Sequence, residues 1–428
     1  MDADYRDRTG QAVGTLPRAM ALIVQKYGGT SVGDAERIES VADRVARTHL
    51  AGNQVVVVVS AMGETTDHLI GLAAGISGGH HPREMDMLLT AGERISMALL
   101  AMAIRDRGVE AMSLTGSQAG ILTDQSHGQA KIRDIRAIRV KEGLDLGRVV
   151  IVAGFQGVSP DTKEITTLGR GGSDATAVAM AAFLGADVCE IYTDVDGVFT
   201  SDPRVVPGAR KLDEVSFDEM LELSASGAGV LMLRSVEFGR RFNVPLHVRS
   251  SFHDGEGTWV KETTMEDAAV TGVAHDLSEV KLTVRGVPDR PGVAAALFSP
   301  LADAGVHVDM IVQNVSRDGR TDISFTVARA DAARAKDLAA EAAAAMGAEG
   351  VDLDEGVAKV SVVGAGMRTH PGVASKMFAV LAAAGINIEM ISTSPIRVSC
   401  VIAADQVETA VNLLHEAFDP PFLPREEP

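Results

Sequence analysis

The feature that most limits the fold of this chain is a repeat near its end. Asp289–Ile311 (DRPGVAAALFSPLADAGVHVDMI) aligns without a gap to Thr369–Ile391 (THPGVASKMFAVLAAAGINIEMI), at an offset of 80 residues. Pro291, Gly292 and Val293 fall on Pro371, Gly372 and Val373; Gly305 falls on Gly385; Met310 and Ile311 fall on Met390 and Ile391. In each copy a strand pattern precedes the segment (281–286 and 359–364), a helical pattern follows the Pro-Gly pair, and a second strand pattern closes it. That is the start of a βαβ arrangement written twice, so this region builds two copies of one small α+β module. The Ala-rich stretch 332–348 reads as the second helix of the first copy, not as a linker.

The preceding 250 residues follow another rhythm. Short apolar runs at 21–25, 54–60, 149–153 and 188–193 read as buried strands, and 85–105 and 174–184 have helical periodicity. Strands alternating with helices imply a mostly parallel sheet covered on both faces. A length of 428 residues leaves room for two to three domains. Aromatics are only 4% of the chain, so its cores must rest on Ala, Val, Ile, Leu and Met.

Charge and cysteines exclude several classes. A net charge of -18 argues against nucleic acid, whose phosphates would repel the surface. Cys189 and Cys400 are far apart in apolar runs, which indicates buried thiols and no disulfide framework or metal spacing. The apolar run 55–59 is too short to span a bilayer, so no membrane partner is expected. Residues 1–20 are polar and of mixed charge with no signal-peptide core; they are expected to be a disordered extension, with Met20 as an alternative start, and the protein to be cytoplasmic.

Four motifs carry chemistry. Lys26-Tyr27-Gly28-Gly29-Thr30-Ser31 follows the first strand, where a Gly-Gly turn into a helix gathers backbone N–H groups beside a lysine, a setting for an anion such as a phosphoryl group. Thr167-Leu168-Gly169-Arg170-Gly171-Gly172-Ser173-Asp174 is a second Gly-rich loop feeding a helix. Arg170 offers a planar fork for a carboxylate, and Ser173 and Asp174 sit where helix caps are favoured. The stretch from Tyr192 to Arg204 (YTDVDGVFTSDPR) has turn chemistry throughout and carboxylates suited to water-bound Mg²⁺ or to a nucleoside, though DVDG by itself reads better as a solvated acidic turn. Thr90 and Glu93 have capping-box spacing, which is the plainer reading; the sharper one is a carboxylate for a substrate ammonium group. No GxxxxGK(S/T) segment occurs, so this is not a P-loop enzyme.

Taken together, KYGGTS, SAMGETTD, MDMLLTAGERIS, TGSQAGI, VAGFQG, TTLGRGGSDATA and CEIYTDVDGVFTSDPR resemble the aspartate kinases of the amino-acid kinase superfamily, most closely the monofunctional actinobacterial type. The resemblance runs from about Ala21 to Phe418, and the repeat is similar to that family's paired ACT modules. It implies an α/β amino-acid kinase domain with a mostly parallel central sheet over 21–262, then two βαββαβ ACT modules over 263–350 and 351–428. It also implies ATP as phosphoryl donor, with Mg²⁺ carried by the nucleotide, and L-aspartate as acceptor.

Site roles follow from the resemblance residue by residue. Lys26 would neutralise the migrating phosphoryl group, with Tyr27, Gly28, Gly29 and Ser60 beside it, and Asp174 would orient Lys26. Thr30, Ser31 and Thr66 would place aspartate or phosphate oxygens; Glu93 would take the substrate ammonium, and Arg170, with Gly171, Gly172 and Ser173, its α-carboxylate. Thr193, Asp194, Phe199, Thr200, Ser201, Asp202, Pro203 and Arg204 would line the nucleotide side. Lysine and threonine are the implied effectors. Their candidate contacts are Asp289, Gly292, Val306, His307, Asp309 and Gln313 in one module and Val373, Ala374, Asn387, Ile388 and Ser394 in the other. Paired modules of this kind self-associate, so a homodimer or an α2β2-like assembly is expected.

The chain departs from the family pattern in two places. Where relatives carry a lysine between Gly-Ser/Ala and Val/Ile-Leu, this chain has Gly227-Ala228-Gly229-Val230-Leu231, which removes a positive charge from the nucleotide side. Pro395 stands where a glutamate is usual, and Ala374 where a threonine is common, so weakened or altered feedback is expected. Met265, followed by Glu266-Asp267-Ala268, is a possible internal start for a small regulatory subunit. The competing readings are a kinase for a modified aspartate and a catalytically weak amino-acid sensor.

Overall fold

The computed structural model describes residues 20–79, 81–262, 269–314 and 318–420. Met265 and residues 1–19 lie outside the described residues. The chain forms two compact units: one runs to Asp194 and includes Phe242–Asp254, and the other comprises Val195–Arg241 and Gly255 onward.

The first unit is built on parallel strands in the order Leu246–Ser250, Val188–Thr193, Leu22–Tyr27, Gln54–Val59, Val149–Ala153, Ala111–Leu114. Their near-continuous Val and Ile runs are what a sheet buried on both faces requires. Alternation along each strand sorts the side chains. Tyr27, Val55, Val57, Val59 and Ile151 pack with helices Ala35–Leu50 and Pro82–Asp106. Lys26 points to the other face, where it meets helix Gly172–Leu184. Strand order runs outward in both directions from Leu22–Tyr27, so the crevice beyond the carboxyl ends of Leu22–Tyr27 and Val188–Thr193 is a topological switch point, the usual ligand position in such sheets. A small second sheet joins Ile132–Ile135, Ile121–Thr123, Gln156–Val158 and Ile165–Thr167.

Helix Pro82–Asp106 is long and apolar enough to cross a membrane by length and composition, and half of that window is buried. It carries Asp86, Thr90, Glu93 and Ser96 as buried polar groups, which marks it as a core helix of this unit.

The second unit holds both repeat copies. The first forms an antiparallel sheet ordered Val308–Gln313, Arg320–Ala328, Glu279–Pro288, Gly350–Asp354, with helices Val293–Asp303 and Ala332–Met346: the expected βαββαβ module. The second orders Gly272–Asp276, Val357–Val363, Arg397–Ala403, Met390–Ser394, with helices Val373–Ala383 and Val407–Phe418. Its edge strand Gly272–Asp276 precedes the first module and pairs antiparallel with Val357–Val363. The boundary expected at 350/351 is therefore too simple, because the first module is inserted within the second. A local helix-and-strand pattern cannot register pairing across that insertion.

Also in this unit, Glu214–Ser216 pairs parallel with Thr258–Lys261, and helix Phe217–Ala225 is closed at its N-terminus by a capping box of Ser216 and Glu219. Both cysteines are buried and free, as expected.

Candidate active site

At the end of strand Leu22–Tyr27 the Lys26 ammonium lies 2.5 Å from the Asp174 carboxylate, in the first turn of helix Gly172–Leu184. Both side chains are nearly buried, and in such a setting either charge alone would cost several kcal/mol. The pairing therefore fixes Lys26 where the chain turns. Gly28 and Gly29 follow at once: the Gly28 N–H is tied to Tyr192 O at 3.3 Å and the Gly63 N–H to Gly29 O at 3.0 Å. A Cβ at Gly28 would stand 3.5 Å from Lys26 Nζ and 3.9 Å from Ser31 Oγ, so these groups border one point. Ser31 Oγ is buried and finds no hydrogen-bond partner among the described residues.

Two expectations for this turn need correction. The α-helix does not start at the glycines: Gly29–Val32 is a 3-10 turn, and the α-helix begins at Ala35 with the Asp34 side chain accepting from the Arg37 N–H. The Tyr27 side chain cannot line a nucleotide: its ring is fully buried on the opposite sheet face from Lys26, stacked on Tyr192 at 4.8 Å, and its carbonyl accepts from the Ser60 N–H at 3.1 Å.

Glu93 is not a cap residue either. It lies well inside helix Pro82–Asp106, and its Oε1 accepts from the Ala61 N–H at 3.2 Å. Gly92 makes this possible, since a Cβ there would lie 2.6 Å from the Ala61 Cβ and push the helix off the 60–63 turn. Glu93 Oε2 is buried with no hydrogen-bond partner among the described residues. Burial outweighs the hydrogen bond from Ala61 and pushes the Glu93 carboxyl up to about 7. An unpartnered buried carboxylate oxygen is what a substrate ammonium group would satisfy.

In the second loop, Gly171 is the N-cap at φ 70, a left-handed conformation that suits glycine, and Ser173 and Asp174 fall inside the first turn without capping it. Ser173 packs against Gly154, where a Cβ would meet its Oγ at 2.8 Å. Arg170 and Thr30 are exposed, and Thr66 is half-buried on helix Thr65–Ile76. Thr193 Oγ1 donates to Asp194 Oδ1 at 3.1 Å. The first unit thus brings together Lys26, Gly28, Gly29, Ser31 and Asp174, and separately Glu93 with the 60–63 turn.

The remaining nucleotide-side candidates lie in the second unit. Arg204 and Asp202 pair at 2.7 Å, and the guanidinium holds the Asp202 carboxyl below the usual range. Phe199 forms an isolated bridge with Lys211. Thr200 is fully buried: it accepts from the Arg210 N–H at 2.9 Å and lies 2.9 Å from His415 Nε2, so its hydroxyl serves the fold instead of lining a nucleotide. Ser201 is buried as well. Gly229 is exposed, with open space where a Cβ would stand.

Among the effector candidates, Val306 is a core residue of the first module. Asp309 pairs with Lys359 at 2.6 Å, and Lys359 also pairs with Glu279 at 2.5 Å. Val373, Ala374 and Ile388 are half-buried against the core of the second module. Gly292, the left-handed N-cap of Val293–Asp303, is exposed, as are Asp289, His307, Gln313 and Asn387. Outside the expected set, Asp86 meets His127 and accepts from the Gly128 N–H, and Glu222 accepts from Ser394. Asp86 had a signal in its spacing of two helical turns from Glu93, whereas nothing local marks His127 or Glu222.

A Gly-rich strand-to-helix turn with a buried lysine at the switch point of a parallel sheet is the site of an amino acid kinase. The model of the amino acid kinase family matches residues 21–250, and that of the ACT domain matches 280–342 and 360–418. The chain is 60% identical to an aspartokinase of Mycolicibacterium smegmatis over 405 residues, covering 93% of this chain and 96% of the relative. It is similar to E. coli aspartokinase III in complex with aspartate and ADP, with TM-score 0.81, 26% identity and coverage of 93% and 100% of the two chains. The same enzyme in complex with lysine and aspartate matches with TM-score 0.71, 27% identity and coverage of 92% and 99%. The chain belongs to the aspartokinase family.

Proposed function

We propose that this site transfers the γ-phosphoryl group of ATP to the β-carboxylate of L-aspartate by in-line attack, with Lys26 as the principal electrostatic catalyst. As an aspartokinase the chain is a kinase of amino-acid biosynthesis that draws on ATP. The observation that carries the assignment of roles is the Lys26–Asp174 pair at 2.5 Å beside the Gly28–Gly29 backbone. The nucleophile is a carboxylate and is already ionised at neutral pH, so no general base is required. Catalysis is then positioning plus stabilisation of charge on the transferring group.

Glu93 Oε2 takes the ammonium group of aspartate and Arg170 its α-carboxylate, which leaves the β-carboxylate to face the donor. Among the described residues no group of three or more His, Cys, Asp or Glu side chains forms a metal cage. Mg²⁺ would enter as a companion of the nucleotide phosphates, whose charge it would neutralise. Lysine and threonine act as effectors at the ACT modules, through which chains associate, and the protein works in the cytoplasm. The test is trapping of aspartyl phosphate as its hydroxamate from ATP and aspartate. Wild-type protein that forms none, or Lys26→Ala protein that forms as much as wild type, would overturn the reading.

A further inference from the structure

We infer that Asp86 is a positioning residue that fixes the loop bearing Arg170, and thereby sets the affinity for the α-carboxylate of aspartate; this rests on the role given above to Arg170. Asp86 lies two helical turns before Glu93, roughly 10 Å along the axis of helix Pro82–Asp106. Its carboxylate is 1% exposed. It accepts from Thr167 Oγ1 at 2.5 Å and from the Gly128 N–H at 3.1 Å, and meets His127 Nδ1 at 2.6 Å. One buried side chain thus gathers donors from two separate segments.

Both segments bear on Arg170. Thr167 ends strand Ile165–Thr167, three residues before Arg170, and its carbonyl accepts from the Ala130 N–H at 2.9 Å. Gly169 has φ 77, and a Cβ there would stand 2.9 Å from Gly128 O, so the loop rests on the backbone that Asp86 holds. The loop's exit is fixed by the left-handed Gly171 and the start of helix Gly172–Leu184. Arg170 stands exposed between a pinned entry and a pinned exit.

A buried carboxylate is costly to desolvate, and neutral packing would serve a purely structural helix better. What Asp86 adds is a common frame: one rigid helix presents Glu93 to the ammonium site and Asp86 to the carboxylate loop. Recognition by a planar guanidinium tolerates only small displacement, so loss of the pin should appear in substrate affinity.

The test uses the full chain with Asp86→Asn, Thr167→Val and Thr167→Ser. Asp86→Asn and Thr167→Val should each raise KM for aspartate about tenfold or more, with kcat, KM for ATP and the thermal midpoint near wild type. Thr167→Ser, which keeps the hydroxyl, should restore the wild-type KM, and the Asp86→Asn/Thr167→Val pair should be no worse than the poorer single variant. With aspartate 1-amide, whose α-carboxyl group is neutral, wild type and variants should not differ. An unchanged KM for aspartate, or a parallel loss of kcat, ATP affinity and thermal midpoint, would overturn the proposal. Should Asp86→Asn fail to fold, Thr167→Val and Thr167→Ser decide it. An Arg170→Ala variant that binds aspartate with normal affinity would instead sink the parent assignment of Arg170.

Discussion

Ser394 Oγ donates to Glu222 Oε1 at 2.9 Å, and Glu222 Oε2 also meets the Arg397 guanidinium at 3.1 Å. Ser394 closes the edge strand of the second module beside Pro395, and Glu222 sits in helix Phe217–Ala225, which leads straight into the segment containing Gly229. One carboxylate thus joins the candidate effector loop to the candidate nucleotide side of the same unit.

Replacing Glu222 should therefore alter feedback more than turnover. Glu222→Gln is expected to shift the half-inhibitory concentration of lysine plus threonine severalfold while kcat without effector stays within about twofold, since a charged hydrogen bond is worth roughly 1.5–3 kcal/mol. Inhibition curves of wild type and variant settle it, and superimposable curves would remove Glu222 from the route. In the same assay, strong concerted inhibition of the wild type would refute the expectation of weakened feedback drawn from Pro395 and Ala374.

Lys26→Ala should lower kcat by about 10²–10³, the usual loss for one preorganised donor at developing charge, with a smaller rise in KM. Asp174→Asn should follow in the same direction, because it leaves the Lys26 ammonium without its 2.5 Å partner. Steady-state kinetics check both, and near-normal kcat in Lys26→Ala would end its catalytic role.

The Glu93 carboxyl, raised from 4.5 to about 7 mainly by burial, predicts two pH effects of opposite sense. The ionised form is needed for an ammonium group, so kcat/KM for aspartate should fall as pH drops through about 7. The fold, in contrast, holds this proton more tightly than the unfolded chain does. Its contribution to stability is therefore full below about 4.5 and lost as pH rises to about 7, by on the order of 3 kcal/mol. Glu93→Gln should flatten that part of the stability profile in denaturant titrations and abolish aspartate turnover. A wild-type kcat/KM that stays level from pH 8 down to about 5.5 would contradict the assignment, since the ordinary range of such a carboxyl lies lower still.

Gly229→Lys should lower KM for ATP, by roughly tenfold if the restored charge reaches a phosphate. The substitution meets open space and requires no unusual backbone conformation, so stability should be unaffected. An unchanged KM for ATP would show that the missing lysine is immaterial here.

The legible parts of the molecule were those set by local pattern. Strands Val149–Ala153 and Val188–Thr193 lie where their apolar runs placed them, and the repeat at offset 80 foretold two modules of the same build. The errors arose where the third dimension decides. Thr90 and Glu93 have the spacing of a capping box, yet a cap needs a helix end, and Pro82–Asp106 begins two turns earlier. Tyr27 adjoins Lys26 in sequence, but successive residues of a strand face opposite ways, which sends its ring into the core. Thr200 looked like part of a solvent loop until His415, from the last helix, covered it. No periodicity announces partners such as Glu222 and Ser394, which are brought together only by the second unit's folding.

The pairing of Gly272–Asp276 with Val357–Val363 also imposes an order of events during synthesis. The edge strand leaves the ribosome first and must wait, its backbone unpaired, while the whole inserted module is made. The inserted module can close its own sheet in that interval, whereas its host cannot begin until Val357–Val363 emerges. A polypeptide started at Met265 would keep this early strand, but one started beyond Asp276 would leave Val357–Val363 with an open edge, inviting a second copy to fill it.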